Sequence, residues 1–280
     1  MIVIETINDL SHHIERAKSM GKKVGFVPTM GALHPGHVDL VRQASLQTDL
    51  VVVSIFVNPT QFNNPNDLLK YPKTIEADLA LIHDLADLVF VPAIDEMYPT
   101  MHTKSWDFGP LTSTLEGYYR PGHFNGVCTV VEKLFNAVHP DCAFFGKKDY
   151  QQLAVIKALV AHEQLPVQII SCETVREEGG LALSSRNMRL SETQRSEAQL
   201  IYRTLSHIAE QIKHESIEAM EAWGRQQFED QQGWRLEYLT IVDAQTFEPI
   251  EKKTPGRAAV ALIAVYAGDV RLIDNLEWRW

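Results

Sequence analysis

From the start to about residue 175 the chain alternates short β-branched runs with longer stretches whose apolar side chains recur at helical spacing. Residues 24–27, 50–57, 88–91, 143–145 and 167–172 read as strands, and several are apolar at consecutive positions. Such strands are buried on both faces, as in a parallel sheet flanked by helices. Between them, Val38, Leu40, Val41, Ala44 and Leu46 line one helix, and residues 77–85, 130–138 and 153–165 predict three more. The rhythm predicts an α/β fold: a parallel sheet with helices on both faces, joined by right-handed crossovers.

Beyond Ser185 the texture changes. Ser191, Glu192, Thr193 and Gln194 make a capping-box pattern that predicts a long helix running to Lys213, and residues 217–228 predict a second. Residues 236–242, 258–266 and 270–273 predict an antiparallel set of strands, the last two joined by a tight turn at Ala267, Gly268 and Asp269. This change places a boundary near residue 175, with a first domain over 1–175 and a smaller α+β domain over 176–280.

Composition narrows the function classes. The 280 residues carry 26 Lys and Arg against 36 Asp and Glu, a formal charge of −10, and 45% of them are apolar. That apolar share excludes a disordered chain. The acidic balance argues against binding a nucleic-acid backbone, which needs a basic surface, although a local basic pocket remains compatible with it. Cys128, Cys142 and Cys172 stand far apart without a CxxC, so they predict reduced thiols rather than a disulfide framework or a zinc knuckle. The longest apolar stretches, 50–57 and 258–267, fall short of the ~18 residues that span a bilayer. The first 20 residues lack the basic leader and small-residue cleavage site of a signal peptide. The expectation is a cytoplasmic protein with no membrane partner.

The segment FVPTMGALHPGH at 26–37 runs from a buried strand through a glycine-bearing turn into a helix, the ligand edge of a parallel sheet. Pro35 suits the first helical position, which makes His34 the N-cap and puts His37 in the first turn. Three residues apart, the two imidazoles share a face. Unpaired backbone N–H groups and the positive end of the helix dipole would stand beside them, a combination suited to a nucleotide phosphate. An H-x-x-H pair also arises by chance among 11 histidines. Zinc would favour i, i+4 spacing and a third ligand that the sequence does not offer. A second cluster, GGLALSSRN at 179–187, adds two hydroxyls and a fixed cation on a flexible loop of the kind that closes on a polyphosphate.

With these motifs in view, the chain resembles the pantoate–β-alanine ligase family of the HIGH-motif nucleotidyltransferase superfamily. The resemblance rests on PTMGALHPGH at 28–37, SIFVNPTQF at 54–62, RPGHFNGVCTVVEKLF at 120–135, FGKKDYQQL at 145–153 and LALSSRN at 181–187, and covers nearly the whole chain. It implies a Rossmann-like first domain, a smaller carboxy-terminal domain acting as a lid, and a homodimer. It also implies a two-step reaction. The carboxylate of (R)-pantoate attacks the α-phosphorus of ATP to release pyrophosphate, and the amine of β-alanine then displaces AMP from the pantoyl adenylate.

The resemblance assigns residues. Met30, Gly31, Ala32, Leu33, His34, Pro35, Gly36 and His37 would contact ATP, with His34 and His37 at the phosphates and His37 as a proton or hydrogen-bond donor. Gly146, Lys147, Lys148 and Asp149 would follow, Lys148 on the migrating phosphate and Asp149 on the ribose. Val175 and Leu183 would frame adenine, and Ser184, Ser185 and Arg186 would hold the β and γ phosphates. Gln61, Gln152 and Asn58 would bind pantoate, Gln61 also β-alanine, and Met30 and Phe62 would wall the two methyl groups. Magnesium would arrive on the ATP phosphates rather than in a protein cage.

The blander readings stand beside these: Lys147 and Lys148 as a solvated pair, exposed glutamines beside an Asn-Pro turn, and RPGHF at 120–124 as turn and helix-start chemistry. Three positions depart from the family's usual residues: Lys147 for Glu, Gly179 for Asp, and Arg189 for an aromatic. The first adds positive charge, and the second predicts a looser loop. Two rival functions remain at the level of sequence, a nucleotidyltransferase that stops at a nucleotidylated product and a nucleotide-binding regulator without turnover.

Overall fold

The computed structural model describes residues 1–62, 68–69, 71–100, 104–229 and 231–280. It divides into two compact units, Met1–Lys147 with Gln151–Glu173, and Lys148–Tyr150 with Thr174–Trp280.

In the first unit six parallel strands, β1 (Ile2–Ile4), β2 (Val24–Thr29), β3 (Leu50–Ile55), β4 (Leu88–Phe90), β5 (Cys142–Gly146) and β6 (Gln168–Cys172), lie in the order β1-β4-β3-β2-β5-β6. The chain leaves β2 to one side and later returns to pair β5 on its other side, a topological switch point that opens a crevice at the strands' carboxyl ends. The sheet is covered by helices α1 (Ile7–Ser19), α2 (Pro35–Ser45), α3 (Ile75–Ile82), α4 (His123–Val138) and α5 (Tyr150–His162).

Alternation along the strands explains the two layers. Phe26 and Val52 join Leu10, Ile14, Val131, Leu134, Ile156 and Leu159, side chains of α1, α4 and α5. Val27, Val51 and Val53 join Val41, Ala44 and Ile82 of α2 and α3. Successive side chains point to opposite faces, so fully apolar strands build both cores at once. The sheet is therefore parallel with helices on both faces, as the patterning predicts, and Rossmann-like, as the resemblance implies. The edge strand β1 and the helix α1 were not predicted; two of the three β1 residues are exposed.

The second unit pairs β7 (Trp234–Asp243), β8 (Ala258–Ala267) and β9 (Val270–Arg279) antiparallel, in the order β7-β8-β9. Gly268 and Asp269 make the tight turn between the last two. Helices α6 (Glu192–Glu197), α7 (Gln199–Gln211) and α8 (Ile217–Glu229) complete the unit, and Ile201, Leu205, Ile208, Met220 and Phe228 of α7 and α8 pack with Leu239, Ile241, Ile263 and Val265 of the sheet. The capping box at Ser191 and Gln194 is present. The single long helix predicted from it is not. At Ala198 the backbone N–H is shared between the Gln194 and Ser196 carbonyls, and α7 restarts at Gln199. Ala198 is fully buried, so packing rather than propensity sets the break.

The three thiols are free and buried. Burial, helped by Glu132, pushes the Cys128 thiol up to about 12. Burial, with Asp39 and Glu173, pushes Cys172 up to about 11. Both stay protonated and poorly nucleophilic at neutral pH. No helix among the described residues is long and apolar enough to cross a membrane.

One carboxylate ties acid stability to the β7 end. Burial raises the Asp243 carboxyl, but hydrogen bonds from the Thr246 and Gln245 N–H groups and from Arg257 outweigh it and hold it below the ordinary value. A depressed folded value stabilises above the unfolded value of about 3.9 and ceases to do so as pH falls through the folded one. Asp243→Asn should therefore weaken the protein at pH 7 and flatten the loss of stability below about pH 4. Denaturant titrations at pH 7 and pH 3 check this, and an unchanged acid limb would count against it.

Candidate active site

The crevice residues are built from the end of β2. Thr29 Oγ1 donates to the Ser54 carbonyl at 2.7 Å and accepts the Gly31 N–H at 3.2 Å, which fixes where the strand stops. The turn then passes through two left-handed residues, Gly31 with φ 80° and Ala32 with φ 50°. For alanine this region is strained and needs support. The support is Asp78 of α3, whose two carboxylate oxygens accept the Ala32 and Leu33 N–H groups at 2.9 and 2.8 Å. Thr74 Oγ1 braces the same carboxylate at 3.1 Å. Asp78 is 2% exposed. Sequence reasoning missed it; the only local signal was an acidic residue on the apolar face of a helix.

Helix α2 opens as predicted with His34 at the N-cap and Pro35 in the first turn. The backbone N–H groups expected to face a phosphate are already engaged. Gly36 N–H donates to His34 Nδ1 at 3.1 Å, His34 N–H donates to His37 Nδ1 at 3.4 Å, and His37 N–H returns to the His34 carbonyl at 2.8 Å. The expectation of bare backbone donors is corrected, because the rings do the capping. An Nδ1 that accepts carries no proton, so each neutral imidazole bears its hydrogen on Nε2. The helix start thus converts backbone donors into a pair of tilted, adjacent rings, 4.1 Å between centroids, with defined tautomers.

Gln61 sits on a 3₁₀ turn, Pro59–Gln61, after β3. Its Nε2 lies 3.1 Å from Met30 Sδ, so the glutamine and the methionine of the β2 turn meet as one surface. Asn58, assigned to pantoate, is 1% exposed. Its Nδ2 donates to Gln61 Oε1 at 3.0 Å and to the Gly126 carbonyl at 3.1 Å, while its Oδ1 accepts from Tyr98 OH at 2.7 Å and Thr60 Oγ1 at 3.0 Å. With both ends of its amide engaged, Asn58 holds the Gln61 side chain in place. Burial raises the Tyr98 phenol above its ordinary value, so it remains a donor. Glycine is required at 126, where a Cβ would stand 2.3 Å from the Thr60 carbonyl oxygen. His123, on α4, is buried with Nδ1 2.9 Å from the Gln61 carbonyl, a positioning contact. Phe62 packs edge-on against Tyr71.

On α5 the adjacent glutamines part company. Gln151 is buried and ties the Glu116 N–H and the Leu111 and Thr114 carbonyls together at 2.9–3.0 Å. Gln152 is half-buried. At the end of β5, Lys147 pairs with Glu173 at 2.5 Å, which accounts locally for the added positive charge.

In the second unit, Lys148 lies 3.8 Å from Asp149 and its side chain is 17% exposed. The segment predicted as a flexible loop at 179–187 forms the second half of a hairpin over 175–183 and the start of a 3₁₀ turn. Val175 carbonyl accepts the Leu183 N–H at 3.0 Å, Arg176 bridges Ala182, and Glu177 N–H donates to the Leu181 carbonyl at 2.8 Å. Gly179 and Gly180 turn it with φ 92° and 96°, and a Cβ on Gly180 would fall 2.1 Å from the Tyr202 ring. The glycines therefore tighten the segment against α7 rather than loosen it. Ser184 caps a 3₁₀ turn, Ser185–Arg189, by accepting the Arg186 N–H at 3.3 Å. Asn187 is buried, with Nδ2 on Glu177 Oε1 and the Ala182 carbonyl, both at 3.1 Å. Arg195 beyond it holds the Glu177 carboxyl below its ordinary value. Arg189 reaches Asp269 at 3.0 Å, a rim pair contributing at most about 1 kcal/mol.

Fold and site together define a class: a doubly wound α/β enzyme scaffold with a histidine-capped helix start at the switch point, the place where such folds receive a nucleotide phosphate. A family model described as pantoate-beta-alanine ligase matches residues 2–277. The chain belongs to that family. It is 46% identical over 280 residues to a pantothenate synthetase of Bacteroides thetaiotaomicron, covering 100% of this chain and 99% of the relative. Among solved structures it superposes on pantothenate synthetase from Thermus thermophilus with a TM-score of 0.91, 41% identity and 99% of each chain covered. Pantoate-beta-alanine ligase from Francisella tularensis, solved with beta-gamma ATP and beta-alanine, gives a TM-score of 0.80 at 37% identity, covering 99% of this chain and 97% of the other.

Proposed function

We propose that the protein joins (R)-pantoate to β-alanine at the expense of ATP, through a pantoyl adenylate, releasing pyrophosphate and AMP. The observation that carries the reading is the paired histidine cap beside the Met30 and Gln61 surface, in a chain matched to the ligase family over residues 2–277.

A carboxylate is a poor acyl donor because its leaving group would be oxide. One pantoate carboxylate oxygen attacks the α-phosphorus, the bond to the bridging oxygen of the β-phosphate breaks, and pyrophosphate leaves. The β-alanine amine then attacks the acyl carbon, AMP departs, and the amine's proton passes to solvent. His34 and His37 present Nε2–H donors to the phosphates, where fixed donors stabilise developing charge. His37 acts by hydrogen bonding in the tautomer its cap imposes. Lys148, Ser184, Ser185 and Arg186 supply further phosphate contacts, with Gly146, Lys147 and Asp149 flanking, and Val175 and Leu183 serve adenine.

Gln61 and Gln152 bind pantoate, whose hydroxyls and carboxylate suit neutral amides, and Gln61 also meets β-alanine. Asn58 keeps Gln61 oriented. Among the described residues no group of three or more His, Cys, Asp or Glu is arranged to hold a metal. In this reading Mg²⁺ is held by ATP phosphates and lends them charge neutralisation. The same reading gives a cytoplasmic homodimer acting on small molecules, with neither nucleic acid nor membrane as partner.

The reaction is tested by pantoate-dependent exchange of pyrophosphate into ATP, followed by AMP release only when β-alanine is added. AMP transfer to another acceptor with no pantoate requirement would replace this reading by a nucleotidyltransferase. Gln152→Ala should raise the pantoate KM about tenfold and leave the ATP KM within about twofold, as expected for one lost substrate hydrogen bond. A fall in ATP affinity instead would displace Gln152 from the pantoate site.

A further inference from the structure

The second unit contains a chain of contacts from Lys148 to the serine–arginine segment, made by residues that have no role in the reaction as described. Asn275 on β9 donates from Nδ2 to the Lys148 carbonyl at 2.8 Å. Its own N–H donates to Asp274 Oδ1 at 2.8 Å. Asp274 is 3% exposed and is gripped by both arms of Arg176, at 2.6 and 3.0 Å. The same guanidinium donates to the Gly180 carbonyl at 3.0 Å and the Asn275 carbonyl at 3.3 Å, and lies 4.1 Å above the Tyr202 ring. Gly180 lies against that same ring, and its missing Cβ is what lets the hairpin backbone approach Tyr202. The hairpin ends at Leu183, next to Ser184.

A buried ion pair is a weak source of stability, since desolvating two charges offsets most of their attraction. A planar fork is a strong source of direction, because each N–H has a fixed bearing. Here the fork makes four hydrogen bonds to groups belonging to two separate segments. One is the strand that holds the backbone of Lys148, and the other is the hairpin carrying Ser184, Ser185 and Arg186. Lysine is a point charge on a flexible stem, so where its ammonium can reach depends on where its backbone is held. A misplacement of about 1 Å can cost as much as 10²-fold in rate.

We propose that Arg176, Asp274 and Asn275 are positioning residues that hold Lys148 in register with Ser184, Ser185 and Arg186 so that all four meet one polyphosphate. The proposal rests on the ATP-dependent reading above. It assigns the carboxy-terminal strand a part in phosphate recognition without placing any of its side chains on the nucleotide.

The test is a double-mutant cycle on the full chain, with Asn275→Ala, Lys148→Ala and the two combined. It is read on ATP affinity by calorimetry and on the exchange rate. Asn275→Ala should weaken ATP binding about fivefold and slow exchange about tenfold while the pantoate KM stays within about twofold. In the Lys148→Ala background the same change should leave ATP affinity within about twofold, because Asn275 acts through the lysine. Wild-type ATP affinity in Asn275→Ala, or a loss that multiplies with that of Lys148→Ala, would overturn the proposal. If Asn275→Ala does not fold, Arg176→Lys keeps the charge, loses the fork and is judged by the same cycle. A wild-type protein that does not bind ATP at all would remove the functional reading and the proposal with it, an outcome distinct from a cycle that shows independence.

Discussion

Lys148→Ala should slow pantoate-dependent pyrophosphate exchange by about 10²–10³-fold, the size of effect seen when one donor to a developing anion is removed. Stability should hardly change. The ammonium is 3.8 Å from Asp149, a loose pair, and such pairs contribute roughly 0–1 kcal/mol. The segment's anchorage runs through the Lys148 carbonyl, which survives truncation of the side chain. Exchange assays and denaturant melts on the same preparation check the contrast. A variant losing activity and stability together would mean that the lysine is structural.

Asp78→Ala should instead cost stability, and strongly. It removes the acceptor of two buried N–H groups at Ala32 and Leu33, in a turn where Ala32 is held at positive φ. Each unsatisfied buried donor costs about 1–3 kcal/mol, so a loss of roughly 3–5 kcal/mol is expected. ATP affinity should fall as well, because the turn that delivers His34 to its cap loses its splint. Asp78→Asn, which keeps one acceptor, should recover about half of the stability. Equal melting of Asp78→Ala and wild type would remove the carboxylate from this account.

The sheet was legible because its strands are buried on both faces and therefore apolar without interruption, as in Val51, Val52 and Val53. The edge strand β1 has only three residues, two of them exposed, and leaves no such trace. The predicted helix through Lys213 fails at Ala198, where the best helix former by propensity sits at a break imposed by packing. The histidine-capped start of α2 and the Asn58-Pro59 turn were legible from local residue types and spacing. Their supports were not. Asp78 lies 46 residues from Ala32, and Asp274 lies 98 from Arg176, so no local window contains either pair. The fate of the α2 backbone donors was hidden for another reason: it depends on which nitrogen each ring turns inward, and a sequence carries no ring orientation.

The three residues Lys148–Tyr150 belong to the second unit although a strand and a helix of the first flank them in the chain. No single cut therefore yields two whole modules. A fragment ending at Glu173 would retain the histidine pair, Gln61 and Gln152, yet strand Lys148 without Asn275. Shuffling carboxy-terminal halves between relatives would likewise have to match the new β9 to the old residue 148.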